Sequence, residues 1–533
     1  MITSPRIVAG GHRWASLLVA AVATACVAVP PAGTVIDHPP DPHAPARAGG
    51  PLPGLTAAQL ELFKASAEAF NEIDSVTDTA DTSKGLGPRF NLDACAGCHA
   101  FPAVGGSSSF INPQPIVATA NGATNEAEIP FLDAKGPIVE ARFKSLMDAD
   151  GHFLLASGKR RPDGGVHALF TITGRTDAGG CAIRQPPFKE AWTQNNVSLR
   201  IPTPTFGLGL IEAISESTIK SNSLEAMTDV ANAKRVANGR ALDYGKEYSE
   251  IATARARVQM YRELGIVGRP GRGRENRSGN DSTITRFGWK AQNKSLLLFA
   301  GEAYNVEQGV TNELFPNERD VEALPLPDEC RRNATPEDDT KFAELDAAHP
   351  QPNKSSATDF AAAAGDLVKF ELFMRMLAPP KPACDLATPG SCSGNIVHGS
   401  EVFDEIHCSA CHVRRLKVGE SSIAAITAQQ YANLYSDLLL HKMGACAPNA
   451  DHTPKCLADD ISQGQAQGDE FRTAPLWGVG QRVFFLHDGR ARDLPTAILA
   501  HKGPGSEANV VIRYYERLPA SSRQDLIDFL RSL

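Results

Sequence analysis

The chain has 533 residues, of which 42% are hydrophobic and 21% charged, and its formal net charge is −8 at pH 7. This apolar content is enough to bury the cores of two or three domains. A mildly acidic chain with interspersed charges argues against a nucleic acid partner, which requires a basic surface.

The N-terminus has the features of an export signal. A basic start precedes the apolar residues 14–30, a run too short and too alanine-rich for a membrane span. Residues 23–25 (Ala-Thr-Ala) fit a signal-peptidase site, and before Cys26 they also fit a lipobox that would leave Cys26 lipid-anchored to the membrane. Both routes stay open, and each predicts a periplasmic protein that has lost residues 1–25.

Residues 26–54 are dense in Pro, Ala and Gly, a composition that indicates a flexible linker. Folded structure is predicted from residue 55. Apolar residues, among them Phe63 and Phe70, recur at helical spacing within residues 56–73.

Two pentapeptides carry the clearest chemistry. Residues 95–99 are Cys-Ala-Gly-Cys-His, and residues 408–412 are Cys-Ser-Ala-Cys-His. This spacing is typical of c-type haem attachment, in which both thiols form thioethers with the haem and the imidazole ligates iron. A zinc site would more often need a second Cys/His pair, and a thioredoxin-like motif does not need the histidine. We therefore predict two covalent haems c, haem 1 at the first motif and haem 2 at the second. The predicted attachment residues are Cys95, Cys98, Cys408 and Cys411, and the predicted iron ligands are His99 and His412.

Between the motifs the pattern is mainly helical. Short alternating runs within residues 116–173 predict a few strands, and residues 224–264 and 359–376 predict helices. The expected fold class is mainly α, with two cytochrome c-like haem domains, a few added short strands and long loops.

Residues 324–354 are rich in Pro, Asp and Glu and predict a surface connection. We place an N-terminal haem domain with insertions at residues 55–378 and a C-terminal cytochrome c domain at residues 379–533. In the latter, a helix with Val402 precedes the haem motif and a helix with Phe529 closes the chain.

The other cysteines favour disulfide bonds. The chain has 11 cysteines, and an even number remains after the haem motifs and Cys26, in a compartment that is oxidising. Free buried thiols are the alternative. The predicted pairs are Cys384–Cys392, Cys446–Cys456 and Cys181–Cys330.

Several segments, in the same order along most of residues 55–533, resemble the bacterial di-haem oxidoreductase family, also labelled thiol oxidoreductase. The segments are residues 87–91, 203–214, 286–292, 437–444, 471–478 (Phe-Arg-Thr-Ala-Pro-Leu-Trp-Gly) and 486–491 (Leu-His-Asp-Gly-Arg-Ala). This family is distantly similar to di-haem cytochrome c peroxidases and to the di-haem enzyme of methylamine utilisation. The resemblance implies that haem 1 meets peroxide and that haem 2 supplies electrons.

The resemblance also implies a sixth ligand for haem 2. In the peroxidase relatives a methionine shortly after the His-Asp-Gly segment ligates this haem, and His501 occupies that position here. Haem 2 is thus expected to be bis-histidine, with a lower potential than Met/His ligation gives. An insertion within residues 502–508 departs from the family pattern. His441 and His487 are rival ligands, or else they bond haem propionates or backbone.

Haem 1 has no equally persuasive second ligand. His152 and His167 lie in polar, strand-like runs, so haem 1 is expected to keep His99 alone and an open position. Peroxide cleavage needs a group that moves a proton between the oxygens. Glu212, the acidic residue of the apolar run 206–214, is the predicted catalytic residue. A solvent-facing Glu212 is the alternative.

Tryptophan would assist electron passage between the haems. Trp289 is the predicted carrier and Trp192 a second candidate, while Trp477 is expected near haem 2; core packing is the alternative for each. Residues 473–475 fall where the peroxidase relatives bind Ca²⁺, so calcium is a further implied cofactor. A small cytochrome or cupredoxin is the expected redox partner.

These features predict an exported, peroxidase-like di-haem c-type oxidoreductase. A bis-haem electron-transfer protein without substrate turnover is the first alternative. The second is a di-haem oxygenase, as in distantly similar enzymes that cleave polyisoprene.

Overall fold

The computed structural model describes residues 35–77, 83–90, 92–123, 129–167, 175–237, 246–272, 284–317, 325–332, 335–338, 364–445 and 456–533. Helices dominate and the strands are short, which confirms the mainly α fold class. None of the described helices is long and apolar enough to cross a membrane.

The helices are distributed along the whole described chain. They are α1 (Ala57–Asn71), α2 (Cys95–Cys98), α3 (Gln114–Ala120), α4 (Phe188–Thr193), α5 (Leu208–Ala213), α6 (Glu216–Lys220), α7 (Leu224–Ala237), α8 (Lys246–Leu264), α9 (Leu296–Glu307), α10 (Asp366–Met376), α11 (Gly394–Glu405), α12 (Ala424–Thr427), α13 (Leu494–Leu499), α14 (Asn509–Arg517) and α15 (Ala520–Ser532). Helices predicted in residues 56–73, 224–264 and 359–376 are therefore confirmed, with shorter bounds.

The strands form small sheets. They are β1 (Asp74–Ser75), β2 (Ser83–Lys84), β3 (Glu140–Phe143), β4 (Leu155–Ala156), β5 (Lys159–Arg160), β6 (Val166–His167), β7 (Val197–Arg200), β8 (Gly271–Arg272), β9 (Ile284–Thr285), β10 (Leu416–Lys417), β11 (Tyr431–Ala432), β12 (Leu440–Lys442) and β13 (Glu470–Arg472). A three-stranded sheet has the order β6-β3-β7, and the other described strands pair in twos.

Helix α1 begins at a capping box, in which the Thr56 hydroxyl accepts from the Gln59 N–H and the Gln59 side chain accepts from the Thr56 N–H. Its apolar face packs on α10, where the rings of Phe70 and Phe373 lie 4.6 Å apart. Phe70 also makes an edge contact with His99 at 6.0 Å. The helix therefore supports the first haem motif directly.

The sheet β6-β3-β7 has one apolar and one charged face. Ala141 and Phe143 of β3 are buried in a hydrophobic core, so the alternation of side chains places Glu140 and Arg142 on the opposite face. Glu140 is directly paired with Arg200 of β7. The predicted strands are thus present, although residues 114–120 at the start of that region form helix α3.

The second haem motif follows α11, which packs against the closing helix α15. The two helices approach so closely that a Cβ at Gly399 would lie 1.9 Å from the carbonyl oxygen of Asp525. Phe403 and Phe529 make an edge contact across the same interface at 5.5 Å. Both helices predicted for this region are confirmed.

Residues 35–54 correct the prediction of a flexible linker. They form no helix, yet Leu52 is 3% exposed and its N–H donates to the carbonyl of Met376 at 2.7 Å. Asp37 is paired with Arg531 of α15 at 2.7 Å. Composition suggested a tether, but the segment is held by backbone hydrogen bonds and ion pairs to distant residues. Residues Val35–Leu533 form one compact unit, and the predicted domain boundary at 378/379 stays a prediction.

Two predicted disulfides are confirmed, Cys181–Cys330 and Cys384–Cys392. Cys456 is disulfide-bonded, while Cys446 lies outside the described residues. The predicted signal peptide and Cys26 also lie outside them.

Candidate functional site

A first cavity, cavity 1, surrounds the first motif. It has an empty volume of about 1170 Å³, including the part open to solvent, and is lined by Cys95, Cys98 and His99. Helix α9 and the charged face of the β6-β3-β7 sheet supply much of its remaining wall. Among the described residues that line it, His99 is the only histidine.

The ring of His99 is oriented by a hydrogen bond to a backbone carbonyl. Its Nδ1 donates to the carbonyl of Gly106 at 3.1 Å, which leaves Nε2 as the nitrogen with a free lone pair. The Oε2 of Glu307 lies 3.8 Å from this Nε2. The ring is thus prepared to ligate iron through Nε2.

The polar wall of cavity 1 comes from residues for which the sequence offered no motif. Arg142 donates to Glu140 at 2.7 Å, and Asn293 donates to Glu302 of α9. Arg200 completes this wall. The alternation of side chains along β3 was the one sequence signal for this wall, because it places Glu140 and Arg142 on the same face of the strand.

A second cavity, cavity 2, surrounds the second motif. Its empty volume is about 1410 Å³, counted in the same way, and Cys408, Cys411, His412 and His501 line it. The Nδ1 of His412 donates to the Tyr435 carbonyl at 3.0 Å. Among the described residues, five histidines line this cavity, and two of them are the predicted iron ligands, His412 of the motif and His501 just after α13.

His501 repeats the geometry of His412. Its Nδ1 donates to the carbonyl of Ala497 at 2.8 Å, so that Nε2 again keeps the free lone pair. Burial lowers the pKa of His412 to about 4 and also lowers the pKa of His501. Both rings are therefore neutral at pH 7, the form that binds a metal.

The rival histidines differ. Both ring nitrogens of His441 are bonded to carboxylates, Nε2 to Asp437 at 2.9 Å and Nδ1 to Glu507 at 2.8 Å. Burial opposes protonation, but the nearby negative groups raise the pKa of His441 well above its ordinary value. His487 lines cavity 2 and stacks on Phe471 at 4.5 Å. Of the two rivals, His487 therefore stays open as a ligand, whereas both ring nitrogens of His441 are already bonded to carboxylates.

Trp289 lines both cavities, and among the described residues it is the only one that the two walls share. Its indole N–H donates to the carbonyl of Ile201 at 3.1 Å, and its own carbonyl accepts from the Arg472 N–H at 3.0 Å. These two hydrogen bonds, one from the indole and one to the backbone, hold Trp289 between the cavities. Trp192 and Trp477 line neither.

Glu212 does not line either cavity. Its Oε2 is paired with Arg375 at 2.8 Å and its Oε1 accepts from the Leu296 N–H at 2.9 Å. The catalytic role predicted for Glu212 has no support from this position, because the carboxylate instead joins α10 to the start of α9. His152 is also remote, with a side chain that is 78% exposed.

The cavities fit haem by a further criterion. Each cavity is lined by an arginine with buried nitrogens that have no hydrogen-bond partner among the described residues. These are Nε of Arg200 in cavity 1 and both Nε and Nη2 of Arg482 in cavity 2. Buried donors need acceptors, and the haem propionates are anionic acceptors. Cysteine pairs, oriented histidines and free donors together match a c-type haem in each cavity.

Residues 473–475, the predicted calcium ligands, all line cavity 2. The carbonyl of Thr473 already accepts from the Ser436 hydroxyl at 2.6 Å and from Arg472 at 3.2 Å. Calcium binding stays a prediction.

The family model described as "Di-haem oxidoreductase, putative peroxidase" matches residues 275–533. This confirms the predicted family over the part of the chain that contains Trp289, the second motif and His501. The first motif lies before the matched range.

Among solved structures, hydrazine synthase of Kuenenia stuttgartiensis pressurized with xenon matches with 17% identity and a TM-score of 0.20. The match covers 32% of this chain and 57% of that chain. At this identity and TM-score, the match indicates neither the fold nor the function of this chain. No curated protein matches it.

Proposed function

We propose that the chain is an exported di-haem c-type oxidoreductase with a peroxidase-like reaction. Cavity 1 would be the substrate site and cavity 2 the electron-transfer site. The observation that carries the proposal is the position of Trp289. It lines both cavity 1, where His99 is the one described histidine, and cavity 2, where His412 and His501 each have Nδ1 bonded to a backbone carbonyl. The match to the family model supports oxidoreductase chemistry at the coarse level.

Cavity 1 has the groups that peroxide reduction requires. A haem with an open position binds a small oxidant, and a haem with two strong ligands transfers electrons. Reduction of hydrogen peroxide to two waters consumes two electrons and two protons, so a nearby carboxyl must deliver protons. Glu302 is bonded by the neutral amide of Asn293, whereas Glu140 is bonded by the Arg142 guanidinium. Of these two carboxylates, Glu302 is the one bonded by a neutral group, and we propose it as the proton-delivering residue.

Cavity 2 has the character of an electron relay. Two neutral imidazoles suit a six-coordinate haem, which exchanges electrons with little rearrangement. We expect a small cytochrome or cupredoxin to supply these electrons. Export follows from the leader and from haem attachment of this type, and lipid anchoring through Cys26 is one of its two routes.

Glu302→Gln tests the assignment, with Glu212→Gln as the matched control. Loss of a general acid typically costs 10²–10⁴-fold in rate, so Glu302→Gln should slow peroxide turnover by about 100-fold or more and leave the haem spectrum unchanged. Glu212→Gln should retain turnover, because its carboxylate lies outside cavity 1. Equal turnover in both variants would contradict a proton-delivering role for Glu302.

One observation favours the electron-transfer alternative. Glu307 Oε2 lies 3.8 Å from the Nε2 of His99, and a carboxylate is itself a possible iron ligand. If Glu307 fills the open position of haem 1, that haem would also be six-coordinate and peroxide would not react. A wild-type protein that binds neither cyanide nor carbon monoxide in any redox state would establish this alternative.

A further inference from the structure

A buried cluster of three charged side chains lies between the cavities. Asp459 accepts from Nη2 of Arg200 at 2.7 Å through Oδ2 and from Nζ of Lys290 at 2.8 Å through Oδ1. The three side chains are 1%, 4% and 0% exposed, in that order. Burial alone would raise the pKa of Asp459, but Arg200 and Lys290 lower it to about 2. One carboxylate thus serves two cations.

Toward cavity 1 the cluster orients a guanidinium. Nη1 and Nη2 of Arg200 are bonded to Gln463 at 2.6 Å and to Asp459. Nε remains without a partner among the described residues, on a side chain that lines cavity 1. Asp459 therefore fixes the plane in which this free N–H lies.

Toward cavity 2 the cluster ends on aromatic rings. Nζ of Lys290 lies 4.0 Å from the centroid of the Phe471 ring, which stacks on His487. Both rings line cavity 2. The remaining protons of Lys290 go to the carbonyls of Gln467 and Gly468 at 2.9 and 3.3 Å, so the ammonium is held in place.

We propose that Asp459 is a positioning residue and the shared counter-ion of both haem cavities. It neutralises one of two buried cations, holds Arg200 toward cavity 1 and holds Lys290 against the wall of cavity 2. Buried charges are weakly screened, and a positive charge near a haem favours its reduced form. The cluster therefore adjusts both haem potentials together. This inference rests on the proposed function, because it needs a haem in each cavity.

The test is a spectroelectrochemical titration of each haem in the purified holoprotein at pH 6.5. Burial lowers the pKa of Lys290 to about 8 even with Asp459 beside it, so Lys290 is charged at this pH in the wild-type protein. Asp459→Asn removes a negative charge and should raise both midpoint potentials. Lys290→Met removes a positive charge and should lower both. Asp460→Asn is the matched control, because the neighbouring Asp460 is 59% exposed and pairs with Lys144 at the surface.

Opposite shifts in the two variants, with an unchanged control, would support the inference. Shifts of the same sign, or unchanged potentials in variants that retain both haems, would overturn it and leave the proposed function intact. If Asp459→Asn does not fold, Lys290→Met decides by the sign of its shift. A wild-type protein without two haems would overturn the inference and the proposed function together.

Discussion

The histidines at residues 99, 412 and 501 share one local arrangement. In each, Nδ1 donates to a backbone carbonyl, and a ring so oriented presents Nε2 to a metal. His99 and His412 could be predicted from the motif alone. His501 came from correspondence with relatives, just before an insertion within residues 502–508, and the structure brings it to the same cavity as His412.

Replacing His501 by alanine should remove the sixth ligand of haem 2. We expect haem 2 to become high-spin while haem 1 binds ligands as before, measured by electron paramagnetic resonance and optical spectra. His152→Ala is the control, because that side chain is exposed and should change neither spectrum. An unchanged haem 2 in His501→Ala would move the ligand assignment to His487.

Asp74 gives stability a predictable pH dependence. Burial, followed by repulsion from nearby carboxylates, raises the pKa of Asp74 from 3.8 to about 8. Between these values the folded protein holds a proton that the unfolded chain releases, so the free energy of unfolding falls as pH rises, by at most about 1.4 kcal/mol per pH unit. Asp74→Asn should flatten this slope in urea unfolding at pH 5, 6 and 7.

Asp328→Asn provides the comparison for Asp74, because the Asp328 carboxylate is fully exposed. It should keep the wild-type slope. The account of Asp74 fails if Asp74→Asn and wild type lose stability in parallel across this range.

The charged residues of cavity 1 show the limit of prediction at this scale. Glu212 was predicted to be catalytic because its sequence neighbours are apolar. Its carboxylate is instead positioned by an ion pair with Arg375 from another helix. Glu140 and Arg200 come together only through the register of β3 and β7. Such long-range pairing is not encoded in any short motif.

At the level of elements, local signals predicted well where they are strong. The helical spacing of Phe63 and Phe70 predicted helix α1, and the structure adds a capping box at Thr56 where the helix begins. Residues 35–54 were misjudged because their order depends on partners in α10 and α15, which composition does not reveal.

The interface of α11 and α15 depends on a residue without a side chain. A methyl group at Gly399 would meet the Asp525 carbonyl at 1.9 Å, so Gly399→Ala must push the helices apart. We expect the free energy of unfolding, measured by denaturant unfolding, to fall by about 1–3 kcal/mol, as in other overpacked cores. Gly394→Ala is the matched control in the same helix, because its added Cβ meets nothing within 4 Å and should be tolerated. Equal stability of the two variants would refute this account.

On the scale of the whole molecule, the chain places two cavities of different chemistry on either side of Trp289. The two haem motifs predicted the number of sites. The sites differ because β3 and β7 bring charged side chains to cavity 1, while the end of α13 brings His501 to cavity 2. The unequal roles of the haems are the central claim of this account.

Electron paramagnetic resonance of the fully oxidised wild-type holoprotein tests that claim most directly. The account predicts two ferric signals of equal intensity, one high-spin from the haem at His99 and one low-spin with bis-histidine character from the haem at His412 and His501. Two low-spin signals, with no high-spin signal in the oxidised protein and no response to peroxide after one-electron reduction, would contradict it.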